Sequence, residues 1–198
     1  MENSDDRNSA VSILENTFSN INNWLSFAEA KNAALIAFNI AVLTAMLGSV
    51  DVLNKNVLYY IINCALIISS GLALMSFKPK TGNNKRTIQS SNDADNLLLF
   101  THIAKYTKEK YLIAVYRKYL NIIKREEDLS KIELDYADEI TYNAQITVNK
   151  YAWFNRALCV DIGSMCCILI LIIIHPIIET GFPVRIPASL QRGLIRNV

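Results

Sequence analysis

Residues 157–178 read ALCVDIGSMCCILILIIIHPII, an apolar run of 22 residues with one formal charge, Asp161. About 18 or more apolar residues are enough to cross the roughly 30 Å hydrocarbon core of a bilayer as a helix. Two further runs lie upstream, at 33–50 and 57–77, separated by the six residues DVLNKN. A gap that short allows only a tight hairpin. The chain is therefore expected to be an all-α membrane protein: a transmembrane helical hairpin plus a third C-terminal span, with a small cytosolic helical module. The third run lies too far along the chain to be a cleaved signal sequence. The N-terminus, MENSDDRNSA, is acidic and polar and does not read as a signal peptide.

Of the 198 residues, 52% are hydrophobic, and these concentrate in the three runs. They leave 78–156 as the only sizeable polar segment, room for one small helical module. The net charge of +2 carries no global basic signature, so no nucleic-acid partner is expected. Cys64, Cys159, Cys166 and Cys167 all lie inside apolar runs, without CxxC or metal-ligand spacing. Adjacent cysteines rarely reach disulfide geometry, so all four read as small apolar membrane residues. The two histidines, His102 and His175, lie too far apart to cluster. There is no GxSxG, no P-loop and no HExxH. No catalytic constellation, metal site or bound cofactor is expected, and the chain does not read as an enzyme.

Charge sets the expected topology. Lys78, Lys80, Lys85 and Arg86 follow the second run, Lys150 and Arg156 precede the third, and the hairpin carries only Lys55. The positive-inside rule places 78–156 in the cytoplasm, with the N-terminus beside it. The tail, 179–198, then falls outside, although it holds Arg185, Arg192 and Arg196. Pro176, Pro183 and Pro187 argue against a further helix there. The segments are thus a cytosolic amphipathic helix (1–32), a transmembrane hairpin (33–77), a cytosolic linker and helical module (78–156), a third transmembrane helix (157–178) and a tail (179–198).

Val11, Leu14, Phe18, Ile21, Leu25 and Ala28 follow 3-4-3-4-3 spacing. This is a heptad seam, which packs on a partner helix or on another protomer. No breaker separates it from the first span, so helix and span should be continuous. The stretch 78–95, KPKTGNNKRTIQSSNDAD, reads as a linker. A second helix is expected from about Asp95 to Lys124, with Phe100, Ile103, Ala104, Tyr111, Val115, Tyr119 and Ile122 on its inner face. Ser130 with Glu133 forms a capping box that opens a third helix. Its seam is Tyr136, Ala137, Ile140, Ala144, Val148 and Tyr151. No Gly or Pro falls between Ser130 and Gly163, so this helix should run straight into the third span.

Polar groups inside spans are costly and usually face a bundle interior or water. Asn39 and Asn63 are expected to make interhelical hydrogen bonds. Asp161 could line a pore. The reading preferred from sequence puts it near the interface, paired with a basic neighbour such as Lys31 or Arg156. Tyr106, Tyr111, Tyr116 and Tyr119 interleave with Lys105, Lys108, Lys110, Arg117 and Lys118. That mixture suits a base and its phosphate, but an ordinary amphipathic helix with tyrosines at the core boundary is the plainer reading.

Two segments form a recognisable pair: FAEAKNAALIAFN (27–39) ahead of the first span and ITYNAQITVNKYAWFNRAL (140–158) leading into the last. Between them come the hairpin and LLLFTHIAKYTKEKYL (97–112). This order resembles the Pycsar transmembrane effectors, bacterial antiphage membrane proteins, over roughly 10–178. The resemblance implies an antiphage effector of the bacterial inner membrane. A pyrimidine nucleotide cyclase would make its activating ligand, a cyclic pyrimidine mononucleotide (cCMP or cUMP). The effector would then impair membrane integrity and cause abortive infection. No classical cyclic-nucleotide-binding β-roll is present. On this reading the receiving surface is expected where basic and amide residues converge at the membrane face: Lys31 and Asn32 with Gln145, Asn149 and Lys150. The competing reading has both lysines merely anchoring span ends at lipid headgroups. Three spans cannot enclose a wide channel, so a pore would require a homo-oligomer. The same seam would also serve a membrane scaffold or assembly subunit acting through helix–helix contacts without a ligand, and a ligand-free small transporter or holin-like pore is a third possibility.

Overall fold

The computed structural model describes residues 4–49, 57–78 and 92–179. The hairpin turn, most of the expected linker and the tail lie outside these residues. Two long helices dominate: α1, Ser4–Gly48, of 45 residues, and α5, Lys131–Glu179, of 49. At 1.5 Å per residue each is roughly 70 Å long, more than twice the hydrocarbon thickness. Between them lies α2, Val57–Met75, whose 19 residues match a single crossing. All three are long and apolar enough to cross a membrane. There is no strand among the described residues, and the protein is an all-α membrane protein.

α1 and α5 run unbroken through the junction because no Gly or Pro falls between Ser4 and Leu47 or between Lys131 and Ile162. Their apolar parts pack with α2 as a three-helix bundle, and their polar parts extend beyond it as one parallel pair, in which Glu15 meets Tyr136, Asn22 meets Asn143 and Glu29 meets Lys150. The face of α1 that packs inward runs almost its whole length. Ala10, Leu14, Thr17, Ile21, Ala28, Asn32, Leu35, Asn39 and Met46 are all buried. Of the expected seam, Leu14, Ile21 and Ala28 are buried, while Val11, Phe18 and Leu25 are half-buried at its rim. The partner helix is α5 of the same chain, which contributes Ala137, Ile140 and Ala144 to the same core.

The expected single helix over 95–124 does not form. Its residues instead make α3, Phe100–Ile103, then α4, Lys108–Val115, then a π-helical turn, Tyr116–Leu120. Thr107 causes the first break. Its backbone is extended, and its hydroxyl caps α4 by accepting from the Lys110 N–H. Asn121 ends the π turn at φ 57°, a left-handed conformation that asparagine tolerates. The inner face is nevertheless the right one: Phe100, Ile103, Ala104, Tyr111, Val115, Tyr119 and Ile122 all join the core formed with α1 and α5.

The tyrosines belong to this core. Tyr111 and Tyr116 are fully buried. The Tyr111 hydroxyl donates to the Leu97 carbonyl at 3.1 Å, and that of Tyr116 donates to Glu133 at 2.6 Å. Glu133, also fully buried, accepts from the Ser130 N–H at 3.2 Å, the reach-back half of a capping box. Burial alone would raise the Glu133 carboxyl. The bonds from Tyr116 and Ser130 outweigh it and hold that carboxyl below its ordinary value. Burial, reinforced by that carboxylate, pushes the Tyr116 hydroxyl up to about 12.

The seam makes a graded prediction. Leu14→Ala or Ile140→Ala opens a cavity in a closed core and should cost about 2–5 kcal/mol. Ile123, 90% exposed at the tip, should cost less than about 0.5 kcal/mol when changed to Ala. Thermal melting of the detergent-purified variants checks the contrast; equal losses would mean that the α1–α5 seam is not what holds the module together.

Candidate functional site at the polar–apolar junction

α2 ends where the bundle gives way to the polar pair, and its last carbonyls need partners. Lys150 of α5 supplies one, with Nζ 2.9 Å from the Ser76 carbonyl. The same ammonium pairs with Glu29 of α1 at 3.0 Å and lies 5.4 Å from the Phe77 ring centroid. One cation therefore ties all three long helices together. It is only 9% exposed. Beside it Asn32 is buried, donating to the Ala28 carbonyl at 2.9 Å and to the Lys150 carbonyl at 3.5 Å.

A cavity of about 310 Å³ opens at this point, lined by Glu29, Ser76, Phe77, Lys78, Asn149, Lys150 and Trp153, among others. Two polar atoms at the junction have no hydrogen-bond partner, the Ser76 hydroxyl and the Asn32 side-chain oxygen. Buried polar groups are normally satisfied, so Ser76, which lines the cavity, can take a further hydrogen bond. The chemistry on offer is two ammonium groups, a carboxylate, an amide, a hydroxyl and an indole face. That set suits a small anion carrying a polar ring.

The five residues expected to converge divide among three places. Lys150 and Asn149 line the cavity, and Asn32 packs against the Lys150 backbone. Lys31 turns to an aromatic cluster, with Nζ at 4.7, 5.3 and 5.6 Å from the ring centroids of Phe27, Tyr151 and Phe154. Gln145 donates to the Ala104 carbonyl at 3.2 Å, tying α5 to the end of α3. Sequence reasoning missed Glu29, although it lies three residues before Asn32 and hence on the same helical face. Trp153 carried the same signal, four residues after Asn149 on α5; Ser76 and Lys78 gave none, because only the ending of α2 brings them to the site.

A second cavity, of about 270 Å³, lies at the far tip, between Asn92, Asp93, Asp95, Tyr106, Arg117 and Lys118. Its cations are already engaged. Arg117 bonds Asp93, Lys118 donates to the Asp95 carbonyl at 2.6 Å, and Lys105 pairs with Asp95 at 2.7 Å. This is a structural network. The hydrogen bond from Lys105, with that from the Asn92 N–H, holds the Asp95 carboxyl below its usual range.

Inside the bundle, Asn39 makes the expected interhelical bond, donating to the Ser69 hydroxyl at 3.1 Å. Asn63 does not; it donates back to Tyr59 of its own helix at 2.8 Å. Asp161 is not paired with Lys31 or Arg156. It is 2% exposed, neither carboxylate oxygen makes a hydrogen bond of full geometry, and the polar side chains beside it are Ser69 and Asn39. Lys31 is held at the aromatic cluster, and Arg156 lies 4.8 Å from the Trp153 ring centroid. The four cysteines are unpaired. No cluster of three or more His, Cys, Asp or Glu side chains suited to a metal occurs among the described residues.

Three apolar helices, two of them running on into a polar helical module with a junction cavity, define a membrane protein built to join a soluble surface to its spans. The chain belongs to the Pycsar effector protein domain family, whose profile matches residues 13–175. No curated protein and no solved structure matches it.

Two predictions concern these networks. Glu29 is half-exposed, so Glu29→Gln should cost less than about 1 kcal/mol. Lys150→Met also uncaps α2 and should cost about 1–3 kcal/mol. Melting curves should rank them in that order, and the reverse order would contradict the capping role. The second concerns pH. A carboxyl lowered on folding contributes stability above its unfolded value, near 3.8 for Asp95, and that contribution is lost as pH falls through the folded value. The module should therefore weaken below about pH 4. Asp95→Asn should be less stable near neutral pH, with a flatter acid limb. An unchanged acid limb in the variant would remove Asp95 from the account.

Proposed function

We propose that this protein is a cytosol-facing sensor and inner-membrane disruptor: a cyclic pyrimidine mononucleotide, cCMP or cUMP, binds it and switches it to a state that impairs membrane integrity during phage infection. The family match supports the effector role. The observation that carries the ligand reading is the junction cavity, where one ammonium joins α1, α2 and α5. In this reading Lys150 and Lys78 receive the cyclic phosphate. Trp153 offers a face to the base, and Asn149, Ser76 and Glu29 meet its polar edges. The Lys31 and Gln145 side chains support the site from outside it rather than contacting ligand.

The switch follows from charge competition. A phosphate on Lys150 displaces the Glu29 carboxylate, since both want the same ammonium. Releasing Glu29 removes the ion pair that ties α1 to Lys150 at the junction, while the seam below it stays closed. A ligand shifts an equilibrium only by binding one state better than the other, and here the favoured state is the one in which the latch is open. Homo-oligomers would then form from spans released to pack with neighbouring protomers.

The experiment follows membrane potential in bacteria expressing the full chain, with cUMP or cCMP supplied. Depolarisation should require a nucleotide. Lys150→Gln, inserted normally, should need at least about tenfold more of it, the loss of one charged hydrogen bond. Depolarisation that ignores both nucleotides contradicts the reading. A reporter fused after Asn92 should read cytoplasmic and one at Val198 periplasmic; a cytoplasmic reading at Val198 contradicts three crossings.

A further inference from the structure

The apolar bundle contains a polar layer that the junction site does not use. Each long helix contributes one residue: Asn39 from α1, Ser69 from α2 and Asp161 from α5. Asn39 Nδ2 donates to Ser69 Oγ at 3.1 Å, and Ser69 Oγ donates to the Ala157 carbonyl at 3.0 Å. Ala157 is one helical turn before Asp161, so the hydroxyl is fixed beside the carboxylate's face of α5. Asn39 and Ser69 are fully buried and Asp161 is 2% exposed. Asp161 is the one formal charge in the apolar parts of the three helices.

The atoms left over in this layer share one chemistry. Both Asp161 oxygens and Asn39 Oδ1 lack a hydrogen bond of full geometry. All three are acceptors; the Ser69 O–H and one of the two Asn39 amide N–H groups already have acceptors, which leaves one donor beside three oxygens. An unpaired buried carboxylate is among the costliest groups a membrane segment can hold. A surplus of hard oxygens with one negative charge is what an alkali cation needs. A divalent metal would call for more carboxylates, and none join this one.

We propose that Asn39, Ser69 and Asp161 form an intramembrane binding site for a monovalent alkali cation, sodium or potassium. Asp161 supplies the charge and Asn39 Oδ1 a neutral ligand. The remaining lone pair of Ser69 Oγ completes the side-chain set, and the bond to Ala157 keeps that hydroxyl in place. The cation neutralises the carboxylate and joins three helices where, among the described residues, no basic side chain does.

The site can be tested without any nucleotide, so its failure is separable from that of the effector reading. The full chain in detergent is melted at fixed ionic strength in choline, sodium or potassium chloride at one pH. Sodium or potassium should raise the melting temperature over choline, by about 3–6 °C per tenfold rise in cation above its dissociation constant. Asp161→Asn keeps the side-chain volume and should melt identically in all three salts; Asn39→Ser should keep a weaker response. Equal wild-type melting in the three salts overturns the proposal, as does an alkali-cation increment retained by Asp161→Asn. Melting that follows pH but not salt identity assigns the oxygens to a proton and equally overturns it.

Discussion

The unbroken course of α1 and α5 is the constraint on which the rest depends. Neither helix contains a break where the polar module meets the apolar bundle, so the two halves share the same rigid rods. Movement of one rod against the other in the module cannot be absorbed before it reaches the spans. α2 is different: it stops at the junction, and its end is held by Lys150. Among the described residues, the Glu29–Lys150–Ser76 contact is thus a polar tie at the junction that engages all three of these helices. Its strength is modest, since an exposed carboxylate contributes little to stability. That modesty suits a tie that the proposed ligand would displace.

The polar module gives the latch something firm to work against. Its core is closed by α3, α4 and the π turn, and the polar ends of its large side chains are satisfied internally. Tyr111 reaches the Leu97 carbonyl, Tyr116 reaches Glu133, and Glu133 reaches back to Ser130. A buried network satisfied in this way rigidifies its surroundings. The junction and the intramembrane layer are the contrast. There Ser76, Asn32, Asn39 and Asp161 retain unsatisfied atoms. The Ser130 hydroxyl is the exception within the module's network.

Much of this fold was legible in the sequence because periodicity is a strong signal over long helices. The Leu14–Ile21–Ala28 spacing located the α1 seam, and the lack of Gly or Pro before Gly163 made α5 continuous. Over 95–124 the same signal found the right core residues but the wrong shape. Thr107 can cap a helix as readily as continue one, and only the packing of α3 and α4 against α5 selects the cap. The site was half legible. Lys150 and Asn149 stood out as polar residues near a span, yet Lys31 and Lys150 look equivalent in sequence while facing an aromatic cluster and a cavity respectively. A helical register difference of one residue from Lys31 to Asn32 is enough to separate those faces. Asp161 was misjudged because one turn inside a span reads as interfacial, whereas α5 carries it to a level where Asn39 and Ser69 close over it.

The central claim is that events at the junction move the spans through α1 and α5. Double electron–electron resonance tests it directly. Spin labels are placed at Ala41→Cys on α1 and at native Cys166 on α5, both exposed, with the other cysteines changed to Ser. On adding cUMP or cCMP to the reconstituted protein, the account predicts a shifted or broadened distance distribution between the two spans. A distribution that stays unchanged while the same nucleotide depolarises the membrane would contradict it.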